Sequence, residues 1–127
     1  MIDWSRYPNF TAAEFACRCG CGRADMDPDF LDRLQRLRNL CDLPFTIASG
    51  FRCEKHNAEV NGGPAHPLGK AADIRVSGPK ARLIVALAEM FEGIGIQQKG
   101  DHGRRFIHLD TLNPGEGGAP RPWIWSY

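Results

Sequence analysis

Two short segments hold the residues best suited to grip a metal ion. AHPLGKAADI, residues 65–74, sets His66 and Asp73 seven positions apart with Gly69 between them. RFIHLDT, residues 105–111, sets His108 and Asp110 two apart. Imidazole nitrogen and carboxylate oxygen are both ordinary zinc ligands, and a catalytic zinc takes three protein ligands and keeps one position open. Glycine and proline around His66 predict a loop there, with Asp73 on the strand that follows. A third ligand would have to come from a distant strand. In RFIHLDT, strand alternation puts Phe106, His108 and Asp110 on one face and Arg105, Ile107 and Leu109 on the other. Burying a His and an Asp in an apolar strand is costly unless they are paired or metal-bound. The same alternation also suits the polar, solvent-facing side of an edge strand. On its own, the segment leaves both alternatives open.

These residues need a frame to position them. NFTAAEF reads as a helix start, with Thr11 and Glu14 spaced as a capping box and Phe10 and Phe15 as a hydrophobic staple. DPDFLDRLQRLRNLC is the clearest helix. Asp27 can cap it, Pro28 suits its first turn, and Leu31, Leu34, Leu37 and Cys41 form one apolar stripe. LPFTIASG, AADIRV, GIGI and RFIHLDTL read as short strands, CEKHNAEV as a short helix, and GPKARLIVALAEMFEG as a second amphipathic helix. NGGPAHPLG is a loop, and the tail NPGEGGAPRPWIWSY is turn-rich and ends in aromatics. Trp123 and Trp125 are expected to close the core rather than to stack on sugar rings. The interspersed helices and strands predict an α+β fold, with helices on one face of a small, mostly antiparallel sheet.

The 127 residues fit a single domain, 1–127, with one modest core. Hydrophobic residues at 43% and charged residues at 24% are ordinary for a globular protein. A net charge of +1 gives no field to draw nucleic acid or anionic lipid, so neither is an expected partner. No apolar run approaches the roughly 20 residues of a spanning helix. The N-terminus MIDWSRYPNF lacks a basic-then-apolar signal pattern, so cytoplasmic synthesis is expected. The five cysteines are an odd number, which argues against a complete disulfide framework. Three crowd into CRCGC, residues 17–21, a C-x-C-x-C spacing unlike the C-x-x-C of common zinc knuckles. Partial disulfides or buried thiols are the expected state there, ahead of a second metal.

Three segments in order, SGFR at 49–52, HPLGKAAD at 66–73 and FIHLD at 106–110, together resemble the zinc D-alanyl-D-alanine carboxypeptidase family, whose fold is shared with the hedgehog signalling domain. That family's pattern is S-x-H-x-x-G-x-A-x-D, with a later histidine on a strand. His66, Gly69, Ala71 and Asp73 stand at matching steps. The flanks EFACRCGCG, LQRLRNL, SGFRCEKHNAEVNGG and GIGI are similar to small phage and prophage members. The likeness spans roughly residues 7–111. It implies zinc, Zn²⁺, held by His66, Asp73 and His108. It also implies that Arg52 binds or polarises the substrate near the scissile bond, with Ser49 supporting the same subsite. A guanidinium can hold a peptide carboxylate or a developing oxyanion through paired hydrogen bonds.

Two positions depart from the family pattern. Its serine two residues before the first histidine is Pro64 here, and the acid many members carry three residues before the last histidine is Arg105. Arginine cannot accept the proton that hydrolysis must remove from water. Asp101 or His102, on the loop entering the last strand, are the leading substitutes. Asp110 is the next candidate, or else it orients a ligand. His56 is expected to make a helix-start contact outside the site. The resulting expectation is a monomeric zinc metallopeptidase acting on peptidoglycan peptides near a D-amino acid, as a carboxypeptidase or an endolysin. The resemblance places it at the bacterial cell wall in a phage lysis or virion setting. The alternatives are a non-catalytic zinc-binding recognition domain of the same fold, and a structural module whose cysteines bind the metal.

Overall fold

The computed structural model describes all of residues 1–127. In chain order it contains α1 (Ala12–Phe15), α2 (Pro28–Cys41), β1 (Thr46–Ser49), α3 (Glu54–Glu59), β2 (Ala71–Arg75), α4 (Gly78–Leu87), β3 (Gly93–Gln97), β4 (Phe106–Asp110) and β5 (Trp123–Ser126). The fold is α+β, as the pattern of elements predicts. The strands form one sheet in the order β1-β2-β4-β3-β5. All neighbours are antiparallel except β3 and β5, which run parallel.

Local chemistry explains the helices. Asp27 accepts a hydrogen bond from the Phe30 amide at 3.1 Å and so caps α2, while Pro28 occupies the first turn, where no amide is needed. Asp42, in a left-handed conformation, ends the helix. Phe30, Leu31, Leu34, Leu37 and Cys41 all turn inward. At α1, the Glu14 carboxylate accepts from the Thr11 amide at 2.6 Å and from its hydroxyl at 3.1 Å. The Phe10 and Phe15 rings meet edge to face, 5.6 Å between centroids, as a staple requires. α4 is shorter than its apolar pattern suggests. The chain leaves it after Leu87, buries Phe91, and enters β3 with the Glu92 amide bonded to the Asp110 carbonyl.

One face of the sheet meets these helices. Ile47, Ala72, Ile74, Ile107 and Leu109 are buried against α2 and α4 in the main core. The opposite face carries Asp73, His108 and Asp110, so the alternation read in RFIHLDT is correct. The edge-strand alternative is not, because β4 is the central strand. The tail also departs from expectation. Its last residues form β5, which covers the outer edge of β3.

The two glycines of GIGI have a packing role on the polar face. A methyl group at Gly93 would overlap both carboxylate oxygens of Asp110, its partner on β4. A methyl group at Gly95 would lie 2.8 Å from the Trp125 indole. Both neighbours are fixed from other sides, so neither can give way cheaply. Gly93→Ala is therefore expected to cost about 1–3 kcal/mol, the usual penalty for overpacking. Gly103→Ala, where nothing lies within 4 Å of the added carbon, should leave the denaturant midpoint unchanged. Urea unfolding of the two variants checks this.

Candidate metal centre and cleft

The register of the sheet assembles the site. Ser49 of β1 pairs with Asp73 of β2, Asp73 with His108 of β4, His108 with Gly95 of β3, and Gly95 with Trp125 of β5. One rung across five strands thus presents two candidate ligands side by side. The third candidate, His66, comes from the loop before β2. Gly69 lets that loop turn, with φ of +70° and its amide bonded to the His66 carbonyl at 3.1 Å. A side chain there would collide with the backbone at Asp25.

The ligand atoms of His66, Asp73 and His108 all lie within 4.8 Å of one another, and all three residues are buried. The His66 Nδ1 sits 2.7 Å from the Gly50 carbonyl. A carbonyl only accepts, so Nδ1 carries a hydrogen and the Nε2 atom is the one turned to the site. It faces Asp73 Oδ1 at 3.4 Å. His108 Nδ1 lies 2.9 Å from the same oxygen. A carboxylate oxygen and two imidazole nitrogens converging in a buried space need a shared proton or a cation between them. Their chemistry suits zinc.

A second set of contacts holds His108 in place. Its Nε2–H donates to Asp110 Oδ2 at 2.8 Å. Arg121 grips the same carboxylate with Nε to Oδ1 at 2.9 Å and Nη2 to Oδ2 at 2.8 Å. Arg121 itself packs over the Trp125 ring at 5.0 Å, and that ring lies 5.1 Å from the His108 ring. Burial pushes the Asp110 carboxyl up, but the hydrogen bonds from His108 and Arg121 outweigh it and hold it at about 2. Burial likewise pushes Asp73 up, and the bonds from His108 and His66 hold it well below the usual carboxylate range. Burial disfavours charge on His108, yet its bonds to Asp110 and Asp73 win and raise its proton affinity.

The candidate metal group lies in a cleft of about 490 Å³. Arg52 lines it, with Nη2 donating to the Ser49 hydroxyl at 3.1 Å and Nη1 donating to Asn57 Oδ1 at 2.9 Å. Asn57, on α3, also donates to the carbonyls of Gly62 and Gly63 and so fixes the loop that forms the cleft's rim. Phe106, Trp125 and Tyr127 form the opposite wall.

The structure brings together Ser49, Arg52, His66, Asp73, His108 and Asp110. It does not bring in Asp101 or His102. Both are exposed, and neither lines the cleft. Their turn is closed by Arg105 Nε donating to the Gly100 carbonyl at 3.0 Å. Asp101 faces a separate hollow, and Phe106, which lines both, stands between that hollow and the cleft. Asp110 is wholly buried and spent on His108 and Arg121, so it orients the His108 ring and has no free oxygen for a substrate proton. The two tryptophans do not close the core. Trp123 is exposed, and Trp125 packs against the His108 ring. Reading the sequence alone missed Asn57, Arg121 and Tyr127. The one signal for Arg121 is the lone cation in APRPWIW, and no spacing rule links it to Asp110.

A family model described as Peptidase M15 matches residues 8–110. No curated protein matched the chain.

Two outcomes are expected from these contacts. Asp110→Asn should lower zinc affinity about 10–100-fold, as loss of a carboxylate behind a metal-binding histidine usually does, measured by competition with a chromogenic chelator. Asp110 also links stability to pH. Its folded value is depressed, so its contribution is complete above the ordinary carboxylate value of 3.8 and is lost as pH falls through about 2. In chelator, thermal midpoints of the wild type should fall across that window more steeply than those of Asp110→Asn.

Proposed function

Because the chain belongs to the M15 peptidase family, we propose that it is a zinc-dependent hydrolase of peptidoglycan peptides that cuts next to a D-amino acid in the stem or cross-link. One observation carries this reading: His66, Asp73 and His108 converge at the base of a cleft that also holds a braced arginine. His66, Asp73 and His108 would hold the metal. Zinc bound there would act as a Lewis acid toward the scissile carbonyl and lower the pKa of water.

The chain's own residues do the rest. Ser49 and Asn57 hold the Arg52 guanidinium at two of its nitrogens, which leaves its remaining hydrogens for a substrate carboxylate or carbonyl oxygen. A terminal carboxylate at Arg52 would favour the carboxypeptidase mode, and a mid-chain carbonyl the endopeptidase mode. Trp125 and Phe106 exclude water from one side and strengthen the polar contacts inside. The Asp110–Arg121 pair fixes the ring of His108 and raises its basicity as a ligand. The likeness of the flanking segments to small phage members supports action at the cell wall in a lysis or virion setting, by a monomer.

A second reading has its own support. No carboxylate other than Asp73 lines the cleft, so no acid stands free to accept the proton of water. That arrangement would suit a zinc-bearing recognition domain.

Zinc content and muropeptide release from purified peptidoglycan separate the two readings. Hydrolysis predicts zinc at the histidine site and products whose masses define the bond, with release abolished in His108→Ala. Arg52→Lys should retain zinc and lose roughly 10²–10³-fold in kcat/KM, as expected for a donor at developing charge. Asp101→Asn should release products at the wild-type rate. Zinc binding with no release from any peptidoglycan would favour the recognition domain.

A further inference from the structure

The fold places four cysteines together, away from the histidine group. Cys17, Cys19 and Cys21 come from the loop after α1, and Cys53 from the residue that caps α3. Their four sulfur atoms all lie within 4.8 Å of one another. Cys17 Sγ is 3.4 Å from Cys19 Sγ, and Cys19 Sγ is 3.7 Å from Cys53 Sγ. Thiolates about 2.3 Å from a tetrahedral zinc sit about 3.8 Å apart. Disulfide sulfurs sit at about 2.0 Å. These two separations lie nearer the spacing around a shared ion than that of a disulfide. The odd cysteine, Cys41, is buried in α2 and takes no part.

The surroundings are built for sulfur with negative charge. The Cys53 amide donates to Cys17 Sγ at 3.3 Å, and the His56 amide donates to Cys53 Sγ at 3.4 Å. His56 thus serves the helix start through its backbone. The loop closes on itself with the Cys17 amide on the Arg23 carbonyl at 2.7 Å, and Gly20 and Gly22 take positive φ so that it can. Arg18 ties it to β1 by donating to the Ile47 carbonyl at 3.0 Å. Lys55 and Glu59 both border the same hollow, one of each charge. The C-x-C-x-C spacing, unlike a zinc knuckle, works here because the fourth ligand comes from a different element.

We infer that Cys17, Cys19, Cys21 and Cys53 form a closed structural site for a borderline-soft divalent ion of the zinc class, separate from the His66–Asp73–His108 group. The site has a structural task. α3 buries no residue in the core, yet it carries Asn57, and Arg52 lies directly before its cap. An ion on Cys53 anchors this otherwise loosely held helix to the N-terminal loop. Filling four cysteines with one closed ion leaves no open coordination position, so the site adds no chemistry of its own.

The test is metal content by native mass spectrometry, with the absorption spectrum of the cobalt(II)-loaded chain, after purification in reductant. The wild type should hold two ions, and His66→Ala and the Cys19→Ser/Cys21→Ser double variant one each. The thiolate-to-cobalt charge-transfer band should persist in His66→Ala and vanish in the double variant. Cys19 and Cys21 are exposed, so their replacement leaves the core intact. If the double variant still fails to fold, the spectra of the wild type and His66→Ala decide alone. A single ion in the wild type that is lost in His66→Ala, a wild type without the band, or disulfides among the four cysteines under native conditions would each overturn the site.

Discussion

The register of β2 against β4 is the constraint on which the candidate centre depends. Asp73 faces His108 across that pair, and Ala71 faces Asp110 two rungs on, the next pair on the same face. The period of a strand is two, so a slip by one residue would turn His108 and Asp110 into the core and bring Ile107 and Leu109 out. The apolar face prevents this. Ile74, Ile107 and Leu109 are nearly inaccessible to solvent beneath the helices. The core thus holds the polar face in register. The energetics of burial, spent on one side of the sheet, position the chemistry on the other.

From that rung outward, support passes through charge and shape. Asp110 reaches its place only because β3 offers glycine opposite it. Arg121 neutralises Asp110, and Trp125 supports Arg121. A buried carboxylate with one partner missing is expensive, so the members of this chain of contacts are mutually required. The other half of the cleft is built differently. Arg52 is half-buried and held by neutral partners, Ser49 and Asn57. Neither neutral partner offsets its charge.

Much of this was legible in the sequence because local rules carried it. Capping residues and apolar stripes located α1 and α2, and two-residue alternation assigned the faces of β4 correctly. Resemblance in HPLGKAAD and FIHLD selected the three residues that the fold brings together. What the sequence concealed depends on distant partners. β5 was lost among prolines and glycines, because a parallel edge strand is stabilised by the strand it joins rather than by its own pattern. With it went the placement of Trp125 and the pairing of Arg121. Asp101 and His102 fit by spacing alone, but the turn that carries them leaves both exposed and outside the cleft. Asn57 was hidden because a short polar helix gives no hint of which side chain turns inward.

The separation of the ligands along the chain also sets an order of events in folding. Asp73 and His108 are 35 residues apart, and their contact forms only once β2 and β4 have met. Pairings of that range close late, after the loop entropy between them has been overcome. An unfolded chain therefore offers the histidine centre only as scattered, weak ligands. Metal bound there would bind the finished sheet and draw the folding equilibrium toward it by mass action. Scarcity of the ion would then appear first as a shortened lifetime of the folded chain.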